Sequence, residues 1–141
     1  MIDHKIQYYS TGKKQMESWL LNGEKHREDG PACIIYRNNG NKLIERWYLN
    51  DAFHRVDGPA VIVYNAIGQK EQEFWFNDGK HSKIDGPAYR VWYKSGQIAR
   101  EEWYLNDSVS NHKEWLIDNN LYNKPYDTWT NEEKILFKLR W

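Results

Sequence analysis

The chain has no cysteine pair, no long apolar run and no excess of charge of either sign. Its single cysteine, Cys33, cannot close an internal disulfide, which suits a reducing compartment. It lies in an apolar run, where inert packing is its expected role. No stretch approaches the roughly 18 consecutive apolar residues that a membrane span requires, and mean hydropathy is −0.96. Met1 to Tyr9 carry charge and no apolar h-region, so no signal peptide is expected. Together these absences point to a soluble, cytoplasmic protein. Lysine and arginine number 20 against 20 aspartates and glutamates, so a basic stripe for nucleic acid or anionic lipid is not the default expectation. Enzyme motifs are missing too. The sequence holds no Gly-x-x-x-x-Gly-Lys phosphate loop, no His-Glu-x-x-His helix and no Gly-x-Ser-x-Gly elbow. Neighbouring carboxylates such as Glu101 and Glu102 would point to opposite faces of a strand and so form no dyad by themselves. Neither catalysis nor a cofactor is expected.

Aromatic residues are what the chain has in plenty: 16% of it, with 8 tryptophans and 10 tyrosines. They favour strands and bury large areas while keeping a polar handle. At 141 residues the chain suits one compact domain with at most a short appendage. Asp-Gly-Pro-Ala occurs three times, with its glycine at Gly30, Gly58 and Gly86, a period of 28 residues. A histidine precedes each copy (His26, His54, His81), and an asparagine stands four residues before each histidine (Asn22, Asn50, Asn77). Asn106 ends the series. Each Pro-Ala leads into an apolar-aromatic stretch (Cys33 to Tyr36, Val61 to Tyr64, Tyr89 to Tyr93) closed by a glycine turn at Gly40, Gly68 or Gly96. Ile6 to Tyr9 followed by Gly12 supplies a half unit.

This pattern predicts a mainly β fold, an elongated antiparallel meander of stacked hairpin repeats. The eight expected strands cover about 4–9, 14–21, 32–37, 42–49, 60–65, 70–77, 88–94 and 98–105. The succession Trp19-Leu20-Leu21-Asn22-Gly23-Glu24-Lys25-His26-Arg27-Glu28-Asp29-Gly30-Pro31-Ala32 resembles the MORN-type repeat. It is similar in particular to the variant group of small bacterial and phage-like proteins, antitoxin-like ones included. The resemblance covers roughly residues 6–107, although these units are longer and insert Arg-Glu-Asp before Gly-Pro. It implies an elongated sheet of hairpins that serves as a scaffold for protein contacts, in an inhibitor or antitoxin-like role.

The repeat array is expected to span 1–107 and a small helical C-terminal cap 108–141, closing the open end of the array. Ser110 is expected to cap a helix over 111–120. Thr130-Asn131-Glu132-Glu133 has the form of a capping box and predicts a helix over 131–139. Ile135, Phe137, Leu139 and Trp141 also alternate as a strand would, an alternative that stays open.

Two constellations carry the functional reading. The pairs His26/Asp29, His54/Asp57 and His81/Asp85 recur at each connection, which favours a structural turn over metal ligation. The row Arg46/Tyr48, Glu73/Trp75 and Glu102/Tyr104 is taken as equivalent positions facing away from Trp47, Phe74 and Trp103. Those residue types often supply binding energy. The expectation is a monomeric or weakly self-associating module that binds a protein target without catalysis, to inhibit or regulate it. The alternatives are a single-stranded nucleic-acid or nucleotide binder using an aromatic face, with Tyr89-Arg90-Val91-Trp92-Tyr93-Lys94 as its segment, and a metal-binding repeat.

Overall fold

A computed structural model describes residues 1–141. Eight strands lie side by side in chain order: Ile2–Tyr8, Lys14–Leu21, Cys33–Tyr36, Lys42–Arg46, Val61–Tyr64, Lys70–Phe74, Tyr89–Trp92 and Ile98–Glu102. All neighbours are antiparallel, and Glu24–Lys25 adds a short ninth strand on Lys14–Leu21. The molecule is thus mainly β, a hairpin meander, with two short helices following it.

Glycine sets each hairpin tip. At Arg37–Gly40 the Gly40 N–H donates to the Arg37 carbonyl (2.9 Å) and the Arg37 N–H to the Asn41 carbonyl (2.8 Å). Gly40 holds φ +92°, and the register shifts by one residue beside it, between Ile35 and Tyr36. A type I turn closed by a one-residue glycine bulge has this signature, and only glycine takes that φ without strain.

The second strand of each full unit is shorter than its apolar run predicts. Lys42–Arg46 stops at Trp47, and the chain resumes as a two-residue ribbon pairing Tyr48–Leu49 with Ala52–Phe53. At Trp47 the N–H goes to the Ala60 carbonyl (2.7 Å) and the carbonyl accepts from the His54 N–H (3.1 Å). Asn50 and Asp51 turn the ribbon at φ 49° and 61°. Two successive positive φ values make a type I′ turn, which asparagine, aspartate and glycine tolerate best. Trp75 and Trp103 also interrupt their strands, and Trp75 makes the same pair of bonds, to Ala88 and from Ser82.

The ribbon corrects the repeat alignment. Trp19, Trp47, Trp75 and Trp103 are equivalent, 28 residues apart, and accept from His26, His54, Ser82 and Ser110 N–H respectively. His81 therefore stands one residue out of step with His26 and His54. The third turn is Asp78-Gly79, so Asn77 is not the counterpart of Asn50.

Asp-Gly-Pro-Ala builds a slot for a cation. The Arg55 guanidinium lies 4.0 Å from the Trp47 ring centroid and donates to the Pro59 carbonyl (3.3 Å) and the Asp57 carboxylate (3.4 Å). A Cβ on Gly58 would stand 2.5 Å from its Cζ, so glycine is needed for the guanidinium to lie flat. Ala60 is fully buried and supplies the carbonyl that holds Trp47. Arg27 repeats this slot over Trp19 at 4.2 Å, and Lys83 over Trp75 at 4.1 Å.

Successive units are pinned at both margins. The Asp51 N–H donates to the Lys25 carbonyl (2.9 Å), and the Asp51 carboxylate accepts from the Lys25 N–H (2.6 Å). Asp107 does the same to His81 (2.9 and 2.6 Å). At the hairpin tips Tyr9 Oη donates to the Tyr36 carbonyl (2.7 Å), and Arg37 to the Tyr64 carbonyl (3.0 Å).

The C-terminal segment forms α1 (His112–Asp118), a 3₁₀ turn (Tyr126–Thr128) and α2 (Asn131–Arg140). The capping box is formed: Thr130 Oγ1 accepts from the Glu133 N–H (3.2 Å), and Glu133 accepts from the Thr130 N–H (2.7 Å). The alternating strand reading of 131–141 is thereby excluded. Asn111, not Ser110, stands at the start of α1, and Ser110 Oγ pairs with His112 Nδ1 instead (2.8 Å). Trp103, Leu116, Leu121, Trp129 and Phe137 make one buried cluster, flanked by Ile84 and Leu105. The cap thus covers the last ribbon. The last strand of the sheet, Ile98–Glu102, pairs on one side only. No helix is long and apolar enough to cross a membrane.

Candidate partner-binding grooves

One groove opens beside each tryptophan slot. The first, about 620 Å³, is lined by Ile2, Trp19, Leu21, His26, Arg27 and Glu28 among others. The second, about 420 Å³, has Trp47, Leu49, His54, Arg55 and Val56, with Arg27 and Glu28 of the preceding unit. A third, about 310 Å³, has Trp75, Phe76, Lys83 and Ile84, with His54, Arg55 and Val56 across it and Tyr126 of the cap at one end. Each pairs an aromatic floor with a cation already held by a carboxylate.

The fourth position of the series is filled. Trp103, Leu105 and Ile84 are the counterparts, one period on, of Trp75, Asn77 and Val56. Against them sit Leu116, Leu121 and Phe137, with His112 edge-on to Trp103 at 4.8 Å. His112 Nε2 pairs with the Lys83 carbonyl (3.2 Å), and the Asp85 carboxylate accepts from the Tyr126 N–H (2.8 Å). Burial lowers the His112 pKa, against the opposing pull of the Ile84 and Lys83 carbonyls and of the Asp85 charge. The fourth position is thus filled by apolar and aromatic side chains drawn from both short helices and the loop between them.

The opposite face carries a ring ladder across units. Tyr48 stacks on Phe53 (4.5 Å), Phe53 lies against Phe76 (4.9 Å), Phe76 on His81 (5.0 Å), and His81 on Tyr104 (4.4 Å). Phe74 and Tyr89 adjoin it. Burial raises the Tyr48 pKa; a hydrogen bond to Glu102 leads the causes that raise that of Tyr104. Both phenols stay protonated at neutral pH.

The expected binding row does not form as one row. Arg46 and Glu102 share a face, each paired across to a first strand (Cys33↔Arg46, Tyr89↔Glu102), and Tyr48 and Tyr104 belong to the ladder. Glu73 and Trp75 lie on the other face, because the counterparts of Arg46 and Tyr48 are Phe74 and Phe76. A one-residue slip in a strand exchanges the faces. Trp75 lines the third groove, and Glu73 is buried, with Lys70 and Arg90 each 3.7 Å away and Trp75 Nε1 donating at 3.3 Å.

Glu73 belongs to a buried carboxylate series with Glu17 and Glu45. Burial opposes the Glu17 charge, but hydrogen bonds from Tyr36 (2.5 Å), Lys14 (3.0 Å) and His4 (2.8 Å) outweigh it and hold the carboxyl below its usual range. Burial and the Glu45 carboxylate push Tyr64 up to about 12. Every carboxylate in this series has its cation or donor at hand, which is the condition for burying such charges.

The histidine–aspartate pairs do not act as pairs. His26 Nδ1 meets Asn50 Oδ1 (2.9 Å), and His54 Nδ1 meets Asp78 (3.1 Å), so each histidine reaches the turn of the following unit. Asp29 holds Arg27 (2.8 Å), Asp57 holds Arg55 (3.4 Å) and Asp85 faces Lys83 (3.6 Å). His81 stacks in the ladder and contacts the Ala88 carbonyl (2.9 Å). No three His, Cys, Asp or Glu side chains come together as a metal site would require. In the segment of the nucleic-acid alternative, Arg90 is tied to Glu101 (3.2 Å) and Tyr89 is stacked on Phe74 (4.5 Å).

The residues that the sequence reading passed over are the slot cations Arg27, Arg55 and Lys83 and two of the tryptophans beneath them, Trp19 and Trp47. Their 28-residue spacing was the available signal. In comparison with known proteins, the chain matches no protein-family model, no curated protein and no solved structure.

Proposed function

We propose that the chain is a non-catalytic protein-binding module, a MORN-like repeat array that holds a partner protein and so inhibits or regulates it. The observation that carries this reading is the filled fourth groove beside three open counterparts. A partner presenting apolar and aromatic side chains would meet at Trp75, Asn77 and Val56 the counterpart of the surface that the cap meets at Trp103, Leu105 and Ile84. Val56 is 87% exposed and lines both the second and the third groove. Aromatic floors flanked by arginine are typical binding hot spots.

The experiment is capture from lysate by the native chain and by Val56→Asp, a change at an exposed residue that leaves the fold intact by circular dichroism. The expected result is a protein retained by the native chain and lost by the variant, whose own activity changes when the chain is added. Equal retention by both would move the site to the ring ladder, and nucleic acid alone in the eluate would overturn the reading.

A further inference from the structure

The two edge strands of the sheet are complementary to each other. At every junction between units, the second strand of one pairs with the first strand of the next, in a fixed register: Glu17↔Ile34, Glu45↔Ile62 and Glu73↔Arg90. Both numbers rise by 28 at each step. One step further the series reaches Glu101, on the unpaired edge Ile98–Glu102. One step back from Ile34 it reaches Ile6, on the unpaired edge Ile2–Tyr8. We propose that the chain associates head to tail, with Ile98–Glu102 of one copy pairing with Ile2–Tyr8 of a second copy and continuing the sheet.

Three observations converge on this occupant. The first is the register, which sets Glu101 opposite Ile6, repeating the Glu–Ile pairs of the two earlier junctions. It also sets Arg100 opposite Gln7.

The second is a missing hydrogen bond. The N–H groups of Trp19, Trp47 and Trp75 donate to the carbonyls of Ala32, Ala60 and Ala88 (2.9, 2.7 and 2.7 Å). The Trp103 N–H has no acceptor in its own chain, although Trp103 is only 9% exposed. It adjoins the unpaired edge, where a strand laid alongside would supply an acceptor. The period supplies one: the position before Ala32 in the series, 32 − 28 = 4, is His4 of the second copy.

The third is charge. The same register places Lys5, exposed and in no ion pair, opposite Glu102. Edge strands commonly carry charge that repels a second edge. Here the facing charges are opposite in sign. The cap packs on Trp103, Leu105 and Ile84 and shares no hydrogen bond with Ile98–Glu102. The contact joins two different surfaces, so it does not close on itself and its products grow with concentration.

Sedimentation velocity of the full chain over a concentration series tests this. The weight-average mass should rise above the 17.0 kDa of one chain as concentration increases. Lys5→Glu and Glu102→Lys, each folded by circular dichroism, should each weaken association by about tenfold or more, because like charges then face each other across the strands. An equimolar mixture of the two variants restores opposite charges at every mixed junction and should recover association. A mass that stays at one chain throughout would overturn the proposal. So would association that Lys5→Glu leaves unchanged, or a mixture no larger than its components.

Discussion

The slot over Trp47 makes a strong claim about two residues that are three apart in sequence, and a double-mutant cycle tests it. Arg55 gains about 1 kcal/mol from lying on the indole and about 1.5 kcal/mol from its charged donor on the Pro59 carbonyl. Asp57 is 85% exposed, so its ion pair adds a few tenths at most. Arg55→Ala should therefore cost about 2 kcal/mol, a fall in melting temperature of roughly 6–8 °C for a chain of this size. Gly58→Ala should cost nearly as much for a different reason. Gly58 does not hold a positive φ, so alanine fits its backbone, but the new Cβ would stand 2.5 Å from Arg55 Cζ and expel the guanidinium. Once Arg55 is alanine, nothing remains to expel, and Gly58→Ala should be neutral or slightly stabilising through the unfolded chain. The coupling is then about 2 kcal/mol, well above the 0.3–0.5 kcal/mol scatter of roughly independent sites. Urea denaturation followed by tryptophan fluorescence on the four proteins measures it. Additive losses, or a Gly58→Ala cost that persists without Arg55, would refute the slot as the reason for the glycine.

Three further outcomes follow from the cap and the pins. Because burial depresses the His112 pKa below its unfolded value of about 6.5, the unfolded chain binds the extra proton first. Stability from this group is full above pH 6.5 and falls as pH drops towards the folded value; cap fluorescence (Trp103, Trp115, Trp129) should report loosening there, and His112→Asn should remove that pH dependence. Thr130→Ala removes one half of the capping box and should cost about 1 kcal/mol, read in the same denaturation assay, with Thr130→Ser close to native. Asp51→Ala leaves the Lys25 N–H without its acceptor and should cost about 1 kcal/mol and speed exchange of that amide by deuterium-exchange mass spectrometry; unchanged exchange would show that the pin between units is not held by this carboxylate.

The hairpins were legible because their signals are local. Glycine at a fixed tip position and β-branched or aromatic runs on either side place the strands whatever surrounds them. The Thr130–Glu133 capping box was legible for the same reason, and it decided between helix and strand where apolar alternation could not. The tryptophan breaks were not legible. The Trp47 N–H goes to Ala60, 13 residues on, and Trp19 makes the same bond to Ala32 inside an unbroken strand, so neither propensity nor spacing marks where a strand breaks. The binding row went astray over a single residue: Asn77 looks like Asn50, but Asp78 does its work, and a slip of one carried Glu73 and Trp75 to the other face. The slot was readable in outline from the spacing of Arg27, Arg55 and Lys83. That each cation lies between an indole and a glycine is information only the fold contains.

The equivalence of Trp75 and Trp103 means that length is an editable quantity in this architecture. Excising residues 76–103, one full period, would bring the cap onto Trp75 and Val56 in place of Trp103 and Ile84, with Asp57 meeting Tyr126 where Asp85 does now. The sheet would lose two strands and about 10 Å of width at roughly 4.8 Å per strand, and Lys70–Phe74 would become its last strand. Such a chain measures in steps, so a partner spanning several grooves would read the number of repeats as a distance.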